Sequence, residues 1–444
     1  MILKRKVDNY LKKWKENPNH LPLIISGARQ IGKTTSIRKF GRENYNSFIE
    51  INFASEPKYK RIFENGYSTM EIIKQISYMN PNVKFIEGST LIFFDEVQEF
   101  MDSTTSLKFF AEDGRFDVIC SGSLLGINYK CVSSVSVGYK MDFEMKSLDF
   151  EEFLWARGYS DEFVNEILDY IISLKPIPEF LYDVLEGLFT DYIVVGGMPN
   201  VVKNFIVNQN FEGVLQMQKQ LLTDYEHDIS KYADGLDSAR IKNVYRHIAP
   251  QLGKENKKFQ ITQIGHGARF RDYRGCNEWL YDAGIVNICY CIHNLTLPLK
   301  GNIESTNFKI YFADSSLLIA SLDKQSQRDL RIDRNFGVYK GALYENLIAE
   351  ALVKQGYELY FYKNSASTIE IDFLIRYYDY IVPIEVKAGR ERAVSLNTVL
   401  SKYENMKFGI KFAHRNIGYT NNVLTLPYFT VFLLEKFLEK VDLK

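Results

Sequence analysis

Neither sign of charge is in excess in this 444-residue chain, where 55 lysines and arginines face 55 aspartates and glutamates. That balance excludes a surface that is basic all over, so any site for a polyanion has to be local. Long apolar runs are also missing. None approaches the roughly 18 residues that span a bilayer, and charge appears by Lys4, so neither a membrane segment nor a secretory leader is expected and the cytoplasm is the expected compartment. Cysteine is scarce. Cys120, Cys131, Cys276, Cys289 and Cys291 show no metal-ligand spacing, and Cys289 and Cys291 on an expected strand would turn both thiols to one face as small apolar fillers. The length exceeds that of one ordinary domain and suggests about two to four.

What is present begins at Leu23. Leu23-Ile24-Ile25-Ser26 runs into Gly27-Ala28-Arg29-Gln30-Ile31-Gly32-Lys33-Thr34, which fits G-x-x-x-x-G-K-[ST] at every position. Gly27 and Gly32 let the backbone bend so that successive N–H groups face phosphates, and a helix starting near Lys33 adds its positive end. Lys33 can reach the β- and γ-phosphates of ATP, and Thr34 offers its hydroxyl to Mg2+. Further on, Leu91-Ile92-Phe93-Phe94-Asp95-Glu96 is an apolar run ending in two carboxylates, as expected of a buried parallel strand whose C-terminal end faces the nucleotide. Asp95 is the expected partner of the Mg2+, and Glu96 the residue that orients or deprotonates the attacking water.

From Leu21 to about Leu154 strands and helices alternate, which predicts an α/β doubly wound sheet. The strand candidates are Leu23–Ser26, Ser47–Phe53, Thr90–Phe94 and Phe116–Ser121, with helices around Thr34–Phe40, Thr69–Met79 and Thr104–Asp113. The last strand ends in Ser121-Gly122-Ser123, where a polar side chain could sense the γ-phosphate. An ordinary Ser-Gly turn accounts for either serine equally well.

Several of these stretches resemble one family. Gly27 to Thr35, Phe94-Asp95-Glu96-Val97-Gln98, Ser121-Gly122-Ser123-Leu124-Leu125-Gly126 and Leu148-Asp149-Phe150-Glu151-Glu152-Phe153-Leu154 look like the prokaryotic AAA-type P-loop ATPases that carry a C-terminal domain of unknown function with a restriction-endonuclease-like core. The similarity continues through Gly196-Gly197-Met198-Pro199, Lys309-Ile310-Tyr311-Phe312-Ala313-Asp314 and Ile384-Glu385-Val386-Lys387-Ala388-Gly389, and so spans nearly the whole chain. Many relatives carry a Gly-Arg pair where this chain has Val137-Gly138-Tyr139, which leaves the arginine finger unassigned. Arg115 and Arg157 are candidates by position only, and a solvated surface arginine is the better description of each.

Residues from about Phe163 to Tyr232 carry helical patterns interrupted at Pro176, Pro178 and Gly196 to Pro199, which suits a helical lid beside the nucleotide. From Ser238 to about Leu299 the order becomes three helices, the second at Ile261–Ile264 and the third at Ala268–Ala283, then β-rich runs beginning with Ile285–Ile292. This resembles a winged helix. Arg269, Arg271 and Arg274 fall near the start of its third helix, where a recognition helix meets a groove or phosphates. Asp272, Glu278 and Asp282 dilute that charge, and a protein-docking face carries equal weight.

The C-terminal hundred residues hold a second chemistry. Gly341–Gln355 reads as an amphipathic helix bearing Glu345 and Glu350, followed by the strand Glu358–Tyr362 and a hairpin of Ile369–Arg376 with Tyr380–Lys387. Glu385 and Lys387 share a face of their strand, where Asp372 on the partner strand can meet them. An Asp followed by Glu-x-Lys on the next strand is the order of the PD-(D/E)xK nuclease fold. By that resemblance Asp372 and Glu385 bind Mg2+, Lys387 stabilises developing charge or activates water, and Glu345 completes the metal shell. An exposed hairpin with charges on one face would look similar.

The expected architecture is therefore α/β throughout: a P-loop AAA-type ATPase core (1–160), a helical lid (161–235), a winged-helix-like domain (236–305) and a restriction-endonuclease-like α/β domain (306–444). The expected function is ATP binding and hydrolysis coupled to a nuclease-like domain acting on nucleic acid, DNA before RNA. The alternative is an ATP-controlled switch whose nuclease-like fold only contacts a partner. An oligomeric assembly or a partner protein fits either, and no membrane is involved in either.

Overall fold

The computed structural model describes residues 1–123, 136–233, 235–254, 257–265, 267–331, 338–364, 366, 369–387 and 393–441. The chain divides into two compact units, Met1–Ser147 with Asp282–Gly284, and Leu148–Tyr281 with Ile285–Lys444.

The first unit is built on strands β1 (Leu23–Gly27), β2 (Ser47–Asn52), β3 (Thr90–Asp95), β4 (Asp117–Ser123) and β5 (Met141–Glu144). They form one parallel sheet in the order β2-β3-β4-β1-β5. Every residue of β3 is buried, which is why its sequence is continuously apolar until Asp95. Ile24, Ile51, Ile92, Phe94, Val118 and Cys120 form one core with Phe53, Phe63 and Phe110. Four strands stand where the sequence puts them. The fifth, β5, was not expected, because its four residues sit at a half-exposed sheet edge and carry no apolar run. The strand order has a functional consequence: β4 lies between β1 and β3, so its C-terminal serines end between the phosphate loop and Asp95.

The second unit opens on a run of helices. Phe150–Ala156 is held by a capping box, Glu152 N–H donating to Asp149 Oδ1 (2.9 Å) and Asp149 N–H to Glu152 Oε2 (3.2 Å). Asp161–Ile172, Glu179–Val195, Pro199–Asn208, Val214–Tyr232 and Gly235–Leu252 follow. An eight-stranded mixed sheet comes next, made of β6 (Val286–Ile292), β7 (Ile303–Phe312), β8 (Leu359–Lys363), β9 (Glu370–Tyr377), β10 (Tyr380–Lys387), β11 (Gly409–Ala413), β12 (Gly418–Thr420) and β13 (Val423–Leu426). Its order is β12-β13-β11-β10-β9-β8-β6-β7. The Val338–Lys354 helix packs on it, as does the Val394–Lys402 helix. Among the described residues no helix is long and apolar enough to cross a membrane.

Two expectations need correction here. The helices expected to form a lid fold with the second unit. Tyr192 is fully buried with its hydroxyl 3.0 Å from Leu148 O and 2.9 Å from Glu350 Oε1, Gly197 N–H donates to Asp314 Oδ2 (3.1 Å), and Ile177 N–H donates to Asn416 Oδ1 (2.8 Å). The Gly196-Gly197 step is required by this packing, since a Cβ on Gly197 would lie 2.0 Å from Leu148 O.

The winged helix is not formed as expected either. Ile261–Gln263 is a single tight turn, and the expected third helix is a 3-10 turn at Phe270–Tyr273 and a short helix at Cys276–Asp282, broken at Gly275 with φ +86°. The would-be wing begins with β6, whose residues are nearly all buried and which pairs with β7 on one side and with β8 on the other. It is an interior strand of the large sheet, and the expected boundary at 305 falls inside β7.

Candidate functional sites

The phosphate loop is the turn between β1 and the Lys33–Asn44 helix. Gly27 (φ +153°) accepts no side chain, because a Cβ there would lie 2.4 Å from Ile31 Cδ1 and from Met145 O. Gly32 (φ +94°) caps the helix in a left-handed conformation, and Gln30 adopts one too, at φ +64°. The loop is held from behind by Arg5, which is buried and donates to Ile31 O (2.9 Å) and Lys146 O (2.7 Å). Ala28, Arg29 and Thr35 lie in the same turn and helix start. Lys33 folds back over it, with Nζ donating to Gly27 O (2.9 Å) and Ala28 O (2.8 Å). Burial pushes the Lys33 ammonium down to about 8, against the pull of Glu96 and Asp95 in the other direction.

Asp95 is the hub of this site. It is buried at the end of β3 and receives four donors: Thr34 Oγ1, 3.2 Å from both carboxylate oxygens, Asn52 Nδ2 at 2.9 Å, Glu96 N–H at 3.0 Å, and the Ser121 hydroxyl. Glu96 stands next to it in the left-handed region (φ +56°), which turns its side chain off the strand direction. Its Oε2 accepts from Gln98 Nε2, while Gln98 Oε1 accepts from Ser123 N–H (3.1 Å). Gln98 is 1% exposed, so it ties the end of β4 to the carboxylate of Glu96.

Mg·ATP fits these residues. A loop with no room for a side chain at Gly27, an ammonium held by that loop's carbonyls, and a hydroxyl facing a carboxylate suit phosphates and a hard cation. The structure brings together Lys33, Thr34, Asp95, Glu96 and Ser121. It adds Asn52 and Gln98. Neither arginine-finger candidate is uncommitted: Arg115 pairs with Asp113 (2.7 Å) and Glu87 (3.2 Å), and Arg157 with Asp191 (3.3 Å). Cys131, Leu124-Leu125-Gly126 and Ala388-Gly389 lie outside the described residues.

In the second unit, Asp372 Oδ2 accepts from Val386 N–H on β10 (2.8 Å), and Lys387 Nζ lies 2.8 Å from Glu385 Oε1 on the same strand. Glu385 is buried, and its Oε2 has no hydrogen-bond partner among the described residues. Glu345 is held by two lysines and a tyrosine. Its Oε1 accepts from Tyr311 OH and from Lys309 Nζ (3.1 Å), and its Oε2 from Lys257 Nζ. Lys309 also pairs with Glu370 (3.0 Å), which in turn pairs with Lys363 (3.0 Å).

The charges are strongly linked. Burial, with Glu345 close by, pushes Asp372 up to about 6. Burial alone would raise Glu345 too, but Lys257 and Lys309 hold it down at about 2. Lys309, which burial alone would depress, is held above its ordinary value by Glu345, Glu370 and Asp372. Among the described residues no group of three or more His, Cys, Asp and Glu side chains is placed to hold a metal ion. A divalent cation shared by Glu345, Asp372 and Glu385 therefore does not fit this arrangement.

Residues 19–154 match the family model of the AAA domain. Over that stretch, which takes in the phosphate loop and Asp95, the chain is similar to an AAA domain. Residues 186–328 match a domain of unknown function, DUF8612, and residues 340–429 match another, DUF4143. No curated protein matches the sequence. Among solved structures, C. elegans PCH-2 aligns at 10% identity over 46% of this chain and 62% of its own, with a TM-score of 0.27. A single-substitution variant of Thermotoga maritima RuvB aligns at 14% identity over 64% of this chain and 89% of its own, TM-score 0.32. The Thermotoga maritima RuvB Holliday junction branch migration motor aligns at 12% identity with the same coverage, TM-score 0.31. The chain thus spans less than two thirds of PCH-2. Likenesses this low carry no functional argument, so activity has to be read from the chain's own residues.

Proposed function

We propose that the protein is an ATP-hydrolysing switch: the AAA unit binds and hydrolyses Mg·ATP, and its nucleotide state governs how the second unit engages a partner. The observation that carries this is the Asp95 hub, where a helix-start hydroxyl, two neighbouring strand ends and the next residue's N–H converge on one carboxylate beside Glu96. The N–H groups from Gly27 to Thr34 and the Lys33 ammonium receive the β- and γ-phosphates. Thr34 and Asp95 hold Mg2+, which when bound offsets phosphate charge. Glu96, held by Gln98, orients a water and takes its proton. Ser121 keeps Asp95 in place.

The partner class is nucleic acid, DNA before RNA, a reading supported by the exposed Arg269, Arg271 and Arg274 on one short segment. Phosphodiester cleavage at Asp372, Glu385 and Lys387 would need Glu345 to be available to a shared cation. Its two oxygens are instead taken by two lysines and a tyrosine, which favours the switch. The test is phosphate release by the pure protein with Mg·ATP, together with duplex DNA affinity in ATP- and ADP-bound states. Absent hydrolysis removes the ATPase half; equal affinities remove the coupling to DNA.

A further inference from the structure

We propose that the acidic centre of the second unit is metal-free, with the ammonium of Lys309, seconded by Lys257, standing where a nuclease-type centre would hold a divalent cation. The inference deepens the reading of this unit as a module that binds a partner without cutting it.

Three elements far apart in sequence build the centre. β7 supplies Lys309 and Tyr311, the Val338–Lys354 helix supplies Glu345, and β9 supplies Glu370 and Asp372. Pairing between β8 and β9 slips at this point: Tyr360 faces Leu374 but Tyr362 faces Ile371, which leaves an extra residue on β9 at Asp372–Phe373. Such a bulge re-aims side chains, and here it lies beside Lys309. The Lys309 side chain is 3% exposed, with Nζ 3.1 Å from Glu345 Oε1 and 3.0 Å from Glu370 Oε1. Lys257 takes the other oxygen of Glu345, and Lys363 the other oxygen of Glu370.

Three ammonium groups thus stand against the carboxyl groups of Glu345 and Glu370, with Asp372 near Glu345. A carboxylate bridging two ammoniums, Lys309 buried and Lys257 partly so, needs no further cation to offset repulsion with its neighbours. A divalent ion would have to coordinate oxygens at about 2.0–2.6 Å, among ammoniums already seated on those oxygens. The exclusion is electrostatic, not steric. Lys309, Lys363 and Glu370 line an open cleft of about 660 Å³, so an added ion has a path to the centre.

The experiment is a Mn2+ titration of nucleotide-free, full-length protein, read by loss of the free-ion EPR signal, on wild type, Asp372→Asn, Lys309→Ala and the double variant. Wild type and Asp372→Asn should bind Mn2+ alike. Lys309→Ala should gain one site at least about tenfold tighter than anything the wild type shows there, because removing one nearby unit charge exposes Glu345, Glu370 and Asp372. The double variant should lose that site. The wild-type and Asp372→Asn comparison stands even if Lys309→Ala does not fold. A wild-type Mn2+ site that Asp372→Asn abolishes, with no DNA cleavage, overturns the metal-free centre alone. The same site accompanied by DNA cleavage overturns the binding-module reading as well.

Discussion

Gln98 offers the sharpest perturbation of the first unit's site, because it is hydrogen-bonded directly to the proposed base. Its amide donates to Glu96 Oε2 and its carbonyl accepts from Ser123 N–H, and it is almost wholly buried. Replacing Gln98 by Leu keeps the approximate size and removes both bonds. A hydrogen bond to a charged group contributes about 1.5–3 kcal/mol, and if that is expressed in the position of the base, kcat falls by about 10- to 150-fold at 1.36 kcal/mol per factor of ten. KM should move by less than about threefold, since the phosphate loop and Asp95 are unaltered. Gln98→Glu is the control: it keeps an acceptor for Ser123 N–H but sets a second carboxylate against Glu96, so it should be at least as slow. The assay is steady-state phosphate release, with binding of a fluorescent ATP analogue measured separately. A Gln98→Leu protein that folds, binds the analogue and turns over within about twofold of the parent would refute the claim that Gln98 positions Glu96.

Lys33 predicts a pH effect. Its value of about 8 in the free protein means that above that pH nucleotide binding must first restore a proton. Affinity should then fall by up to about tenfold per pH unit, a trend that Lys33→Arg should abolish; a flat profile in the parent would exclude it. Tyr192→Phe removes a hydroxyl placed between Leu148 O and Glu350, while Glu350 keeps Lys354 (2.5 Å) and Ser315 N–H (2.7 Å), so urea unfolding should show a loss of about 1–2 kcal/mol. Gly197→Ala should cost more, above about 3 kcal/mol, because the new Cβ meets a backbone oxygen at 2.0 Å, and equal stability in the two variants would contradict that packing.

The parts of the fold legible in the sequence are those written locally. A glycine-framed loop after an apolar strand, an apolar run ending in Asp95-Glu96, and the Asp372 and Glu385-x-Lys387 hairpin each declare themselves within a few residues. Asn52 and Gln98 do not, because their role depends on which strand ends adjoin, and strand order is not a local property. The same holds for β6. Val286-Asn287-Ile288-Cys289-Tyr290-Cys291-Ile292 reads as a wing until its neighbour β8, some seventy residues on, shows it to be interior. The helices expected as a lid bury Tyr192 and Gly197 against Glu350 and Asp314, partners more than a hundred positions away. Glu345 is a further case: its helix is legible, but its pairing with Lys309, from a strand far away in sequence, and with Lys257, from a segment with no motif, is not.

The central claim is that the first unit hydrolyses ATP through Lys33, Asp95 and Glu96. Its most direct test is a comparison of wild type, Glu96→Gln and Lys33→Ala for Mg·ATP binding and phosphate release on the same preparations. Wild type should bind and release phosphate, Glu96→Gln should bind with similar affinity but turn over about a hundredfold or more slower, and Lys33→Ala should lose nucleotide. Phosphate release by Glu96→Gln at the parental rate, or a wild type that binds no nucleotide, would contradict it.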